Sequence, residues 1–232
     1  MGEEHNGWQA LSRILVLLEG ETEYEFVSKV LAPYLATKLI FLIPTVVETK
    51  KVIGSASHKG GGDFSKFKAD VLSLLNDSNA VAVTTLYDFY EFPEIPNLSN
   101  ESYKDVTMLE AAIANQFNSR RFKPYLQLHE FEAFLFIEPE LTAKAALKQQ
   151  QANSIQQHRN QFNHVEEINL GNDTAPSKRL IASIGRYNKS RVGAIVTQSL
   201  GVSRLMQECP KFAIWVNWML SFAPNQSINY EQ

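Results

Sequence analysis

The stretch ILVLLEGETEYEF, residues 14–26, contains the transition that decides the fold class of this chain. Its first five residues are all aliphatic, which predicts a buried strand from Ile14 to Leu18. The residues that follow carry apolar side chains at helical spacing, beginning with Phe26 and Val27. A buried strand that leads through a short turn into a helix is the first half of a parallel βαβ unit.

The same alternation continues through the first half of the chain. Three further segments predict strands, and they read LIFLIPTVVE, AVAVTTLYD and FKPYLQLHEF. Pro44 breaks the second strand or places it at an edge, and Asp63 is the expected N-cap of the helix DFSKFKADVLSLLND. The pattern predicts an α/β fold with a mostly parallel sheet of about four strands and helices on both faces.

The second half of the chain, from Leu141 onward, has only helical patterns. We therefore predict an α/β core over residues 12–138 and a helical C-terminal region over residues 139–232 that belongs to the same globular unit. Trp215 and Trp218 fall at helical spacing in this region, which predicts a core-facing surface, with a dimer or partner face as the alternative.

Composition excludes several classes of protein. Of 232 residues, 44% are hydrophobic and 20% are charged, which is typical of a globular chain and not of a disordered one. A net charge of −3 argues against a protein that simply coats nucleic acid, and a single cysteine excludes a disulfide framework. No apolar run is long enough to cross a membrane, and residues 1–13 are acidic without the basic and apolar regions of a secretory leader, so we expect a cytoplasmic protein without membrane contact.

Acidic residues follow three of the four predicted strands. Glu19 ends the first strand, Asp88 ends the third, and Glu130 and Glu132 end the fourth. Glu23 comes four residues after Glu19, one turn into the next helix, so both carboxylates can face the same point. In open α/β sheets the ligand crevice lies beyond the carboxyl ends of the strands. A cluster of carboxylates on a rigid scaffold suits Mg²⁺ or Mn²⁺.

Each acid also has an ordinary structural explanation. An aspartate such as Asp88 at the end of a strand is commonly a helix N-cap or a turn residue. Glu23 in isolation is typical of a solvated acid in the first turn of a helix. Glu130 and Glu132 share a face of the predicted strand, and one of them would then only pair with an arginine. The metal-site hypothesis therefore depends on the convergence of several acids on one edge of the sheet, and not on any single acid.

Six blocks, in order along the chain, carry a resemblance to known families: VLLEGETE, HKGGGDFSKFKADV, VTTLYDFYEFP, RFKPYLQLHEFEAFLF, NDTAPSKRL and CPKFAIWVNWML. The strand–Glu–Gly–x–Thr–Glu opening, followed by a strand that ends in Asp, resembles the Toprim domain and, more closely, the Toprim nucleases of the OLD (overcoming lysogenization defect) family. The whole set resembles the bacterial family catalogued as domain of unknown function 4276 (DUF4276). The resemblance implies a Toprim-like fold and a relationship to the effector nuclease of the PARIS anti-phage defence system, which works beside an ATPase.

The resemblance also implies roles for single residues. Glu19 matches the Toprim glutamate that acts as general base or acid and as a metal ligand, and Glu23 matches the second metal ligand of the OLD type. Asp88 matches the first acid of the Toprim Asp-x-Asp, whereas Tyr90 stands where the second Asp is expected.

The missing carboxylate would then come from the LHEFEAF segment. Of its two acids, Glu130 and Glu132, we favour Glu132. The implied cofactor is Mg²⁺ or Mn²⁺, with Glu130 as a further candidate ligand. The implied catalytic set is Glu19, Glu23, Asp88 and Glu132.

Two segments are candidates for contact with nucleic-acid phosphates. HKGGG offers Lys59 and the backbone of Gly60 and Gly61, although a flexible surface loop explains it equally well. SKRLIASIGRYNKSR concentrates basic residues in an acidic chain, and we interpret it as a backbone-binding patch, with a solvated helix face as the alternative. Its candidates are Lys178, Arg179, Arg186, Lys189 and Arg191.

The acids and the resemblance together predict a Mg²⁺-dependent endonuclease that cleaves DNA or tRNA, the effector of a bacterial anti-phage pair with an ATPase. Homodimerisation would fit an effector that is silent until triggered. Tyr90 motivates a second interpretation, a non-catalytic Toprim-fold module that binds nucleic acid or its ATPase partner. A third is an enzyme of small phosphorylated molecules, with the long loop after Asp88 as a lid.

Overall fold

The computed structural model describes residues 11–46, 63–90, 92–169, 171 and 174–224. Its strands are β1 (Ser12–Leu18), β2 (Ile40–Val46), β3 (Ala82–Asp88), β4 (Phe122–Lys123) and β5 (Leu126–Gln127). Its α-helices are α1 (Glu21–Phe26), α2 (Ala32–Ala36), α3 (Phe64–Leu75), α4 (Val106–Ala114), α5 (Pro139–Ala145), α6 (Ala152–Arg159), α7 (Pro176–Ile184), α8 (Lys189–Glu208) and α9 (Pro210–Leu220). A π-helical turn covers Val27–Leu31, and 3₁₀ turns cover Asn100–Lys104, Phe131–Phe136, Gln149–Gln151 and Val165–Glu167.

The described strands form one sheet in the order β2-β1-β3-β4, and β5 continues along β3 beyond β4. All of these pairings are parallel, which confirms the predicted mostly parallel α/β sheet. β2 pairs only with β1 among the described strands, and Pro44 lies within it. An edge position suits a residue that has no backbone N–H to donate.

Helices cover both faces of the sheet, as predicted. The alternate β1 residues Ile14, Val16 and Leu18 pack in a large hydrophobic core that includes side chains of α8 and α9. The intervening residues Leu15 and Leu17 pack in a second core with α3 and α4. A parallel strand buried on both faces reads as a continuous apolar run, which is why β1 shows no polar alternation.

The fourth predicted strand is wrong in its length. The segment FKPYLQLHEF forms only β4 and β5, each of two residues, and the ladder stops at Gln127. Pro124 has no backbone N–H to donate to the ladder. At the next residue the Thr85 hydroxyl takes the place of a backbone partner, because it accepts from Tyr125 N and donates to Tyr125 O, each at 2.9 Å. His129 then turns the chain with a φ of 65°. Glu130 and Glu132 consequently do not alternate along a strand.

The C-terminal helices contribute directly to the core against the sheet. Trp215 is 1% exposed, its ring stacks on Tyr125 with a centroid distance of 4.3 Å, and its Nε1 donates to Thr84 Oγ1 at 2.8 Å. The core-facing interpretation of this tryptophan is therefore confirmed. In the described residues, no helix combines the length and the apolar character that crossing a membrane would require.

Candidate carboxylate site

The carboxyl ends of β1 and β3 lie side by side because the two strands pair in parallel, with Leu18 opposite Leu86. The hydrogen bonding between the two strands extends one residue beyond β1, because Glu19 N donates to Leu86 O at 3.3 Å. The Glu19 carboxylate then accepts a hydrogen bond from the backbone N–H of Asp88, with 3.0 Å between Oε2 and N. The first two acids identified in the sequence therefore meet at the edge of the sheet.

Glu23 lies on the buried face of α1. It precedes Phe26 and Val27 by three and four residues, so all three side chains point towards the core, and Glu23 is only 8% exposed. A Cβ built on Gly20 would lie 3.2 Å from Glu23 Oε2, so the carboxylate rests directly over the turn that leads out of β1. Burial, together with the charges of Glu19 and Glu132, raises the pKa of Glu23 to about 7.

Asp88 joins the end of β3 to the 3₁₀ turn that follows β5. Its Oδ1 accepts a hydrogen bond from Phe131 N at 2.9 Å. Burial raises the pKa of Asp88 well above its ordinary value, and the charges of the four glutamates of the site raise it further. The hydrogen bond from Phe131 N places Asp88 beside the turn that carries Glu130 and Glu132.

Glu132 lies within the 3₁₀ turn Phe131–Phe136 and is 5% exposed. Its Oε1 is 2.5 Å from Nζ of Lys189, the first residue of α8. A lysine that was predicted to bind phosphate therefore reaches a carboxylate that was predicted to bind metal.

Glu130 has a different environment from Glu132. Its Oε2 accepts from Ser177 N at 2.7 Å, and its Oε1 accepts from Ser177 Oγ at 3.0 Å. Ser177 lies in the first turn of α7, and the N-cap residue Ala175 has no side chain that could accept these donors. Glu130 therefore supplies the cap that the local sequence of α7 lacks.

The donor set of this cluster fits a hard divalent cation in its chemistry, since all donors are carboxylate oxygens and burial leaves their charge poorly compensated. The arrangement of these side chains, however, does not form a metal site in the described residues. Across residues 11–46, 63–90, 92–169, 171 and 174–224, no three His, Cys, Asp or Glu side chains are arranged to hold a metal ion. Glu132 is turned to Lys189 and Glu130 to Ser177, and a cation held by Glu19, Glu23 and Asp88 would require these side chains to rearrange.

Comparison with known proteins identifies one family, and the matched residues include all five acids of the cluster. The family model described as "Domain of unknown function (DUF4276)" matches residues 18–220, from the end of β1 to the end of α9. The chain belongs to this family. No curated protein and no solved structure matches the chain.

The basic residues of this DUF4276 chain divide into two groups. Lys178, Arg186, Lys189 and Arg191 are exposed on and between α7 and α8. Arg179 is 7% exposed, and its guanidinium donates to Thr174 O at 2.7 Å and stacks on the Phe162 ring at 5.1 Å. These contacts place the Arg179 charge inside the fold. The remaining candidates, Lys59, Gly60 and Gly61, lie outside the described residues.

Two polar residues beside the cluster were not singled out from the sequence. Gln127 is fully buried opposite Asp88 in the β3·β5 register, its Oε1 accepts from Tyr125 at 2.7 Å, and its Nε2 has no hydrogen-bond partner in the described residues. The buried hydroxyl of Tyr187 likewise has none there, and Glu132 and Glu130 add to the effect of burial in raising its pKa. Only the pairing of β5 with β3, which places Gln127 opposite Asp88, would have identified Gln127 as a neighbour of the cluster.

His129 lies beside the acids but is engaged in the fold. Its Nδ1 is 3.0 Å from Asn169 Nδ2, and burial lowers its pKa although Glu130 acts in the opposite direction. The hydrogen bond favours a neutral, structural histidine over a proton shuttle.

Proposed function

We propose that this DUF4276 protein is a metal-dependent nuclease that cleaves phosphodiester bonds of nucleic acid. The observation that supports this best is the convergence of Glu19, Glu23, Asp88 and Glu132 at the carboxyl edge of a parallel sheet. This is the edge at which α/β proteins bind their ligands. The Toprim-like resemblance supports the same reaction class, because it assigns metal binding to Glu19, Glu23 and Asp88.

The residues of the cluster divide the work between metal binding and proton transfer. Glu19 and Asp88 would hold Mg²⁺ or Mn²⁺, which supplies a polarised phosphate and a more acidic water when it is bound. The resemblance assigns general acid–base catalysis to Glu19, whereas burial gives Glu23 a pKa of about 7. A bound cation lowers the pKa of a neighbouring carboxyl group, so Glu23 would then be ionised and join Glu19 and Asp88 as a ligand.

The charged surface around the cluster supports nucleic acid as the substrate class. Glu130 and Glu132 contact the beginnings of α7 and α8, respectively, so the exposed cations of this segment flank the acids. Lys178, Arg186 and Arg191 would contact backbone phosphates on either side of the scissile bond. Contacts of this kind bind DNA and RNA alike, and they weaken as salt concentration rises.

The experiment is a calorimetric titration of Mn²⁺ and Mg²⁺, followed by cleavage assays on DNA and tRNA. Wild type is compared with Glu19→Gln and Asp88→Asn, and Glu21→Gln is the matched control because Glu21 is an exposed acid in the same turn as Glu23. We expect saturable metal binding and metal-dependent cleavage in wild type and in the control. Both should fall at least about 100-fold in the two site variants. Retained cleavage in both site variants would exclude the carboxylates from the reaction.

A second candidate is a non-catalytic module that binds nucleic acid or an ATPase partner. The observation that favours it is the Lys189–Glu132 ion pair, together with the lack of a formed metal site in the described residues. This candidate predicts nucleic-acid binding without metal binding, so the same titration separates the two.

The anti-phage role and the ATPase partner rest on the resemblance to effector nucleases. We propose that a neighbouring ATPase controls the nuclease. Affinity purification of the tagged chain from its native host tests this. An ATPase should co-purify with the wild-type chain, and its absence from repeated purifications would contradict the proposal.

A further inference from the structure

Lys189 differs from the other cations of residues 178–191 because it is paired with an acid. Its Nζ lies 2.5 Å from Glu132 Oε1, and among the ion pairs between described residues this is the one that involves a cation of that segment. The Lys189 side chain is 49% exposed, whereas the Glu132 side chain is 6% exposed. The pair therefore joins a surface cation to a buried acid of the carboxylate cluster.

The side chain of Lys189 can change its partner without moving the helix that carries it. Lys189 is the first residue of α8, and the Asn188 side chain caps this helix by accepting from Arg191 N at 2.9 Å. The close approach of Gly193 to Phe131 holds the same part of α8 against the turn that carries Glu132. A lysine ammonium stands on a flexible stem of four carbons, so rotation of the side chain alone can take it from one anion to another.

Glu132 does not have the same freedom. It belongs to the 3₁₀ turn Phe131–Phe136, in which every residue is buried. The start of this turn is anchored, because Phe131 N donates to Asp88 Oδ1 at 2.9 Å. Taking away one partner of a buried ion pair leaves a poorly solvated charge, so the Glu132 carboxylate retains Lys189 until a second anion attracts the lysine.

A backbone phosphate is such an anion. Arg186 and Arg191, which would contact backbone phosphates, precede and follow Lys189 in the chain, and both are exposed. Charge-assisted hydrogen bonds join a lysine to phosphate and to carboxylate alike. One ammonium group that held both would bring two anions close together, and their repulsion makes the binding of one disfavour the binding of the other.

We propose that a substrate phosphate and Glu132 compete for the Lys189 ammonium, so that nucleic-acid binding releases Glu132 to the other acids of the site. The inference rests on the proposed function and adds a form of regulation to it. It uses the nucleic-acid contact of that function and no metal ion. Without nucleic acid, Lys189 holds Glu132 to the beginning of α8, and this acid takes no part in the chemistry of the site.

The experiment measures the binding of fluorescein-labelled tRNA and duplex DNA by anisotropy, in the presence of a chelator, and continues with the probe that wild type binds more tightly. Glu132→Gln leaves Lys189 without its competitor, and we expect this variant to bind about tenfold more tightly than wild type. Glu208→Gln is the control. It releases Arg204, whose side chain is 47% exposed, at the other end of α8. The control should change the affinity by less than about threefold, because salt screens charges that are far from the bound backbone.

Lys189→Met determines whether the gain in affinity comes from the lysine. We expect this variant to lower the slope of log affinity against log salt concentration by about 1, as one lost phosphate contact does. In the Lys189→Met background, Glu132→Gln should tighten binding by less than about threefold, since there is no lysine to release. The double variant has no unpaired charge at this position, so it can be compared with Glu132→Gln even where Lys189→Met alone folds poorly. The salt slopes of these two proteins should also differ by about 1.

The outcomes also separate this inference from the proposed function. An equal gain from Glu132→Gln with and without Lys189 would mean that Glu132 repels the backbone by its charge alone, and it would overturn the competition. Equal salt slopes with and without Lys189 would overturn it as well, and both results would leave a metal-dependent nuclease in place. The expected binding results in a protein without metal-dependent cleavage would overturn the nuclease and keep the competition. A wild type that binds neither probe would overturn both.

Discussion

Glu23 is a buried acid whose charge destabilises the fold and whose carboxylate belongs to the candidate site. It occupies a helix position that would ordinarily be apolar, one turn before Phe26, and it is 8% exposed. Burial is the main cause of its raised pKa, and the neighbouring carboxylates of Glu19 and Glu132 add to it. The same environment that disfavours its charge makes it attractive to a cation.

The raised pKa of Glu23 predicts a specific dependence of stability on pH. Between the ordinary pKa of 4.5 and the folded value of about 7, the native state binds more protons than the unfolded state. The free energy of unfolding therefore falls as pH rises through this window, by on the order of 3 kcal/mol from this one group. Denaturant unfolding of the chelator-treated protein at successive pH values measures the slope.

The comparison that isolates this effect is Glu23→Gln against Glu21→Gln. We expect the slope between pH 4.5 and 7 to flatten in Glu23→Gln, which should also be the more stable protein at pH 7. Glu21 is exposed in the same helical turn, so its amide variant should keep the wild-type slope. Equal slopes in all three proteins would contradict a raised pKa of Glu23.

Glu130 and Glu132 are two residues apart in the chain but have separate tasks. We predict that Glu130→Ala lowers the free energy of unfolding by about 1–2 kcal/mol, because the first turn of α7 loses both hydrogen bonds to Ser177. Its Mn²⁺ affinity should stay within about threefold of wild type, since its oxygens face α7. Ser177→Ala removes only one of the two bonds and should cost less. A loss of metal binding in Glu130→Ala with unchanged stability would reverse these assignments.

At the scale of elements, the site depends on the close approach of α8 to the 3₁₀ turn. A Cβ on Gly193 would lie 2.9 Å from Cε1 of Phe131, closer than packed carbon atoms tolerate. Phe131 is 2% exposed and packs edge-to-face on Phe26, so its ring has little room to move. Glycine at this position therefore lets α8 bring Lys189 to Glu132.

We predict that Gly193→Ala destabilises the protein by about 1–3 kcal/mol, although alanine favours a helix over glycine by about 1 kcal/mol. The contact with Phe131 outweighs the helix propensity because the ring is buried and cannot yield. Chemical denaturation measures the difference. Gln198→Ala, on the exposed part of α8, reports propensity alone and should be neutral or slightly stabilising. A stabilised Gly193→Ala would show that α8 does not pack as closely as described.

At the scale of the whole molecule, the C-terminal helices complete the core of the sheet. Trp215 of α9 stacks on Tyr125 and donates to Thr84 of β3, and Phe212 packs on Phe26 of α1 with 6.0 Å between ring centroids. The core that contains Ile14, Val16 and Leu18 of β1 therefore also contains residues almost two hundred positions away in the chain.

This packing predicts that Trp215→Ala costs about 3–5 kcal/mol and that the chain unfolds in one transition. The reason is that the helical region and the sheet share one apolar core. Far-ultraviolet circular dichroism, which follows the helices, and tyrosine fluorescence should give the same midpoint. Trp218→Ala, a half-buried tryptophan of the same helix, should cost less. Helices that melt separately from the sheet would instead make residues 139–232 an independent domain.

The sequence by itself determined the architecture and the centre of the site. Apolar runs alternating with amphipathic segments sufficed for a parallel sheet with helices on both faces. The placement of Glu19 and Asp88 followed from it, because parallel neighbouring strands must end at the same edge of a sheet. Both inferences use local periodicity, which is readable in one stretch of chain at a time.

The tertiary structure alone decided the partners of the other charged residues. Glu130 faces Ser177, Glu132 faces Lys189, and Arg179 turns inward to Phe162. It also divided the fourth strand at Pro124 and Tyr125, where the Thr85 hydroxyl replaces the ladder, and ended that strand at Gln127. The physical reason is the same in each case. A side chain takes its hydrogen-bond and ion-pair partners from whatever the folded chain brings within about 3 Å, and no local pattern records which distant segment that will be.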